Sequence, residues 1–197
     1  MRQQVLVIHG GDAYETYGEY LDGLKSKELK IEMLQFVGWK DNLAKDLGKD
    51  FDVLLPKMPN AQNAKYNEWK IWFEKITPLL SDNIILIGHS LGGIFLAKYL
   101  AENKFPKKIK ALFILAAPYH SMNEPLADFN IESGLGNVSK QAEKIFLYHS
   151  KDDLVVPFES LENYQKEFPN AEIRIFEDKG HFHVLGLPEL IEDIKSL

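Results

Sequence analysis

The chain contains no cysteine, which removes disulfide frameworks, thiol nucleophiles and thiolate metal ligands from consideration. Long apolar runs are also lacking. After Met1-Arg2-Gln3-Gln4 only four apolar residues precede His9-Gly10-Gly11, too few for a signal-peptide core or a membrane span. A cytoplasmic protein that does not engage membranes is expected. Positive charge is in deficit: 23 Lys and Arg face 29 Asp and Glu, for a net charge of −6, which argues against nucleic acid as a partner. The local cluster Lys104, Lys107, Lys108 and Lys110 reads as a solvated helix end. G-x-G-x-x-G, Walker and H-E-x-x-H spacings do not occur, so no cofactor and no metal are expected. Repeats, low-complexity tracts and linkers are missing as well. The 197 residues suit a single domain over 1–197, large enough to bury roughly 70% of its unfolded surface.

What the chain does contain is a regular alternation. Short apolar runs at 5–8, 53–55, 84–87, 111–116, 145–148 and 173–176 predict six strands. Helical patterns at 17–27, 39–47, 67–80, 91–103, 158–168 and 187–197 fall between and after them. Pro78 and Pro106 sit at or beyond helix ends, as their missing N–H and ring sterics require. Unbroken hydrophobicity in the central runs means that both sheet faces are covered, which implies an open α/β fold with mainly parallel strands flanked by helices. The polar, Gly-containing stretch 120–141 lies between two strands and is a candidate lid. Trp69, Trp72 and Phe73, at helical spacing, read as core packing. Trp39, Tyr14, Tyr119, Phe158 and Phe182 lie on or beside predicted loops and are candidates to line an apolar acyl pocket.

In such sheets ligands bind at the carboxyl ends of the strands, and those ends are chemically loaded. Gly88-His89-Ser90-Leu91-Gly92 spells G-x-S-x-G between the third strand and a helix. A strand that turns sharply into a helix strains the serine and exposes Oγ, and the flanking glycines avoid a Cβ collision. A serine hydroxyl needs a neutral imidazole to take its proton, and that imidazole needs a carboxylate to fix its tautomer. Ser150-Lys151-Asp152-Asp153 follows the fifth strand and Lys179-Gly180-His181 the sixth. Asp153 is favoured as the acid over Asp152, and His181 as the base over His183. The chain order serine, acid, histidine is that of α/β-hydrolases. Leu91, the residue after the nucleophile, would supply one oxyanion-hole N–H, and Gly11 the second, with Gly10 as the alternative. The helix opening at Leu91 adds positive potential there. His9, His89, His120 and His149 each abut a strand end, where a histidine commonly satisfies a backbone group.

Several of these segments carry a resemblance. The elbow at 88–92, Ser150-Lys151-Asp152-Asp153 followed by Val155-Val156-Pro157, and Gly180-His181-Phe182 together resemble the serine hydrolase family of retinoblastoma-binding protein 9 and bacterial YdeN. The likeness extends over nearly the whole chain. It implies a compact α/β-hydrolase fold with no large cap domain, and a triad of Ser90, Asp153 and His181. The expected activity is hydrolysis of a small-molecule ester, thioester or amide through an acyl-enzyme, with an esterase the leading expectation. The alternatives are a catalytically weak hydrolase-fold binding module, or a cofactor-free lyase or perhydrolase on the same three residues. Two departures stand out. The segment from Asp12 to Phe51 is longer than in the compact human-like members and predicts an extra helix at 39–47 near one rim of the site. Without cysteine there is no L-x-C-x-E motif, so no retinoblastoma-type pocket protein is expected as a partner.

Overall fold

The computed structural model describes residues 2–120, 125–132 and 134–197. Strands β1 (Gln3–Ile8), β2 (Phe51–Leu54), β3 (Ile84–His89), β4 (Ile109–Leu115), β5 (Ala142–Ser150) and β6 (Glu172–Phe176) form one six-stranded sheet in the order β2-β1-β3-β4-β5-β6. Every neighbouring pair is parallel. Each expected strand is present, and most extend a residue or more beyond its apolar run, because ladder hydrogen bonds continue through flanking residues whatever their polarity.

The helices are α1 (Tyr17–Ser26), α2 (Ile31–Leu34), α3 (Trp39–Leu47), α4 (Tyr66–Ile76), α5 (Leu91–Glu102), α6 (Glu159–Glu167) and α7 (Pro188–Lys195). Alternate strand residues feed two cores. On one face Leu6, Ile8, Leu86, Leu112 and Leu147 pack under α4, α5 and α6 through Trp69, Phe73, Phe95 and Tyr164. On the other, Val5, Val7, Ile85, Ile87, Phe113 and Phe146 pack under α3 and α7 through Trp39, Leu43, Leu190 and Ile194. Strand β3 is buried at every position, which explains why its sequence is apolar without alternation.

The helix expected at 67–80 ends at Ile76 and closes as a 3₁₀ turn, Thr77–Leu79, around Pro78. Within α4, Trp69 and Phe73 are wholly buried, whereas Trp72 is exposed. Trp72 stands about 100° round the helix from Phe73, so spacing alone overstated the core-facing stripe. The long connection between β1 and β2 carries α1 and α2, neither of which buries a residue, and then α3, the additional helix expected at 39–47.

Candidate active site

Ser90 joins β3 to α5 with φ 55° and ψ −125°, in the left-handed region that a residue with a Cβ rarely occupies. Its N–H donates to the Leu115 carbonyl at 2.9 Å, so the sheet itself holds the strained turn. A Cβ on Gly88 would lie 2.5 Å from the Gly92 carbonyl oxygen, and one on Gly92 would lie 2.2 Å from that of Ile8. The elbow therefore closes only with glycine at both positions. Gly10 runs close to Ser90, where a Cβ would stand 3.0 Å from Ser90 Cβ. The N–H groups of Leu91, Gly10 and Gly11 have no acceptor among the described residues, leaving them available to a ligand.

His181 and Asp153 come together across the sheet edge. His181 Nδ1 donates to Asp153 Oδ2 at 2.8 Å. The other Asp153 oxygen accepts the N–H groups of Val155 and Val156 at 2.8 and 2.9 Å, which fixes the carboxylate in a buried position. Burial alone would raise this carboxyl, but the hydrogen bond and charge of His181, with the two backbone donors, outweigh it and hold Asp153 below the usual carboxylate range.

Asp152 turns the other way. Its Oδ1 accepts from Ser150 Oγ and from the Gly180 N–H at 2.8 Å, and Ser150 Oγ in turn accepts the Lys179 N–H at 3.0 Å. The neighbouring aspartates thus divide the work: Asp153 meets the imidazole and Asp152 pins the loop that carries it. No atom lies within 4 Å of a Cβ built on Gly180, whose φ is +50°. Glycine at this position serves the backbone conformation of the turn.

Ser90, Leu91, Gly11 and His181 line one cavity of about 570 Å³, to which His183 and Lys40 also contribute. No hydrogen bond joins Ser90 Oγ to His181 among the described residues; such bonds are commonly long before substrate arrives. His183 lies beside His181, ring centroids 5.6 Å apart, but His181 holds the Asp153 contact. Of the aromatic residues expected at an acyl pocket, Tyr14 lines the cavity. Trp39 and Phe182 are core residues, and Tyr119 and Phe158 pack against the other core; their positions beside loops did not reveal which way the backbone turned them. Of the expected lid at 120–141, residues 121–124 and 133 lie outside the described residues. Leu126, Phe129, Leu135 and Val138 from that stretch pack into the core.

Of the four histidines expected to satisfy backbone groups, His9, His89 and His149 do so, whereas His120 lines the cavity. His9 Nε2 accepts the Met58 N–H at 2.8 Å, so Nδ1 carries the proton and donates to the Gly10 carbonyl at 2.6 Å, anchoring the glycine loop. Burial, the largest influence, keeps the His9 pKa low. His149 Nε2 donates to the Val156 carbonyl at 2.9 Å, bracing the loop around Asp153. His89 Nε2 donates to the His181 carbonyl at 3.0 Å, and its Nδ1 accepts from Lys40 Nζ at 3.1 Å. Burial first, and the Lys40 charge second, hold His89 neutral. The sequence reading missed Lys40. Its one available signal was its place in the first turn of the helix expected at the rim.

A parallel sheet in this order, with a strained serine between strand and helix and an Asp–His pair on the following strand ends, defines an α/β-hydrolase. The chain belongs to the serine hydrolase family, whose model matches residues 37–186. No curated protein sequence matches it. Among solved structures, the ydeN gene product of B. subtilis is 21% identical, with a TM-score of 0.74 over 98% of this chain and 97% of that one. An esterase from Exiguobacterium antarcticum is 16% identical, with a TM-score of 0.60 over 98% and 91% of the two chains. Est1E from Butyrivibrio proteoclasticus is also 16% identical, with a TM-score of 0.57 over 99% and 86%. At these identities the likeness is one of fold.

Proposed function

We propose that the chain acts as a single-domain, metal-free serine hydrolase that cleaves a small-molecule ester, thioester or amide through an acyl-enzyme on Ser90. The supporting observation is the 2.8 Å bond from His181 Nδ1 to the buried Asp153, which in the neutral ring fixes the proton on Nδ1 and makes Nε2 the acceptor, at the cavity that Ser90 also lines. In this reading Nε2 takes the Oγ proton as Oγ attacks the carbonyl carbon, and then returns it to the departing alcohol, thiol or amine. Leu91 and Gly11 N–H groups receive the oxyanion, beside the positive end of α5. Water repeats the sequence with the acyl group as substrate and frees Ser90.

Intact-mass labelling with a fluorophosphonate tests this without knowledge of the substrate. A single stoichiometric adduct is expected on the wild type, none on Ser90→Ala, and slow labelling of Asp153→Asn. A well-folded wild type that takes no label would refute the hydrolase reading and favour a binding module.

A further inference from the structure

The chain is acidic overall, at −6, but its catalytic cavity is not. The cavity is lined by Lys27, Lys40 and five histidines, with Asp12 as the one carboxylate among the described residues that line it. Asp12 is engaged by Lys27. Lys40 is different. It is half-buried, it has no carboxylate within ion-pair distance among the described residues, and its one hydrogen bond among them, to His89 Nδ1 at 3.1 Å, uses one of the three donors of an ammonium group. Asp41, next in the chain, spends a carboxylate oxygen on the Gly38 N–H at 2.8 Å. Holding an ammonium group half out of water without a counter-charge is costly, and burial duly pushes Lys40 down to about 8. At neutral pH most molecules still carry the charge, next to the residue that precedes the nucleophile. An anion entering the cavity would supply the missing partner.

We infer that Lys40 is a specificity residue that receives a carboxylate carried by the substrate, so that the preferred substrates are acyl compounds with a free carboxylate. The inference rests on the serine hydrolase reading of Ser90, Asp153 and His181 and adds the substrate class. A singly charged carboxylate suits the site better than a phosphate dianion. One ammonium provides one positive charge, Asp12 stands on the same cavity wall, and the neighbouring His89 and His183 imidazoles are held toward neutrality by burial first and by neighbouring positive charge second.

The test compares monomethyl glutarate with methyl valerate, two esters of similar length that differ in one carboxylate, by acid release at pH 7. The wild type should favour the glutarate in kcat/KM by about tenfold, chiefly through KM, the scale of one charge-assisted hydrogen bond. Lys40→Gln should bring the ratio of the two esters close to unity, and Lys40→Arg should keep most of it. Because Lys40 also braces His89, both rates can fall in Lys40→Gln, and the ratio separates recognition from support. An equal ratio in wild type and Lys40→Gln overturns the inference. Calorimetric titration with glutarate and with inorganic phosphate reads the anion site without turnover. Glutarate binding that Lys40→Gln abolishes upholds the site even if Ser90 takes no fluorophosphonate, the result that would sink only the hydrolase reading. Phosphate binding more tightly than glutarate would overturn the assignment to a carboxylate.

Discussion

The imidazole of His89 donates from Nε2 to the backbone carbonyl of His181 at 3.0 Å, so the residue before Ser90 holds the backbone of His181. Serine and histidine are thereby set in one frame, although they arrive on elements far apart in the chain. Removing the donor in His89→Ala frees the His181 loop and leaves Lys40 without its acceptor. A displacement of the order of 1 Å at a reacting group is worth up to about 100-fold in rate. We expect kcat to fall about 10- to 100-fold, with labelling by fluorophosphonate slowed in step. Labelling as fast as in the wild type would reduce His89 to a packing residue.

Asp153→Asn and Asp152→Asn form a contrasting pair. An amide at 153 cannot hold His181 in the tautomer that leaves Nε2 unprotonated, and the loss should be on the order of 10⁴-fold in kcat. An amide at 152 removes a charged acceptor for Ser150 Oγ and the Gly180 N–H but leaves the imidazole partner in place, so about tenfold or less is expected. Steady-state rates on one ester rank the two variants, and the opposite ranking would reassign the acid.

Ser90 and His181 should act as a unit. Ser90→Ala is expected to lower kcat by about 10⁴- to 10⁶-fold, and adding His181→Ala should cost little more, because neither group has a role without the other. Losses that simply multiply in the double variant would exclude a shared proton-transfer step.

Away from the cavity, Asp193 ties α7 to the sheet. It accepts from Arg174 Nη2 at 2.7 Å and Nε at 2.9 Å, and from the Tyr148 hydroxyl. Burial would raise this carboxyl, yet the bonds from Arg174 and Tyr148 hold it below its ordinary value. Replacement by alanine removes three acceptor contacts and leaves the buried Tyr148 hydroxyl only the Glu189 carbonyl at 3.4 Å. The expected cost is about 1–3 kcal/mol, read as a Tm lower by about 3–10 °C.

The same two lowered carboxyls, Asp153 and Asp193, predict an acid limb in stability. In the unfolded chain an aspartate titrates near about 3.9. Below that value the unfolded state binds protons that the folded state refuses. The stabilisation is therefore complete above it and is lost as pH falls through the lower folded values. Thermal melts from pH 6 to 3 should show Tm falling most steeply below about pH 4, with a shallower fall in Asp193→Asn. A Tm independent of pH over that range would contradict both assignments.

Much of the architecture was legible because its causes are local. Each apolar run became a strand, and helix α3 begins and ends where its pattern does, since periodicity reports which faces must be covered. Direction was harder to read. Trp39 and Phe182 lie beside loops yet point into the core, and Trp72 keeps helical spacing yet faces solvent. Their side chains follow the angle at which an element docks, which no short window contains. Helix α2 is four residues long and buries nothing, so it had no apolar stripe by which to be found.

Taken alone, the sequence determined the alternating α/β plan and the G-x-S-x-G elbow, because these follow from backbone sterics and periodicity within a few residues. Tertiary structure decided the rest. It brought Asp153, not Asp152, to an imidazole 28 positions away. It made His89 a brace for a carbonyl 92 positions on, and it placed Lys40 against His89 across 49 residues. Such contacts depend on which strand ends lie side by side in the sheet, and burial then sets the charge each group can carry.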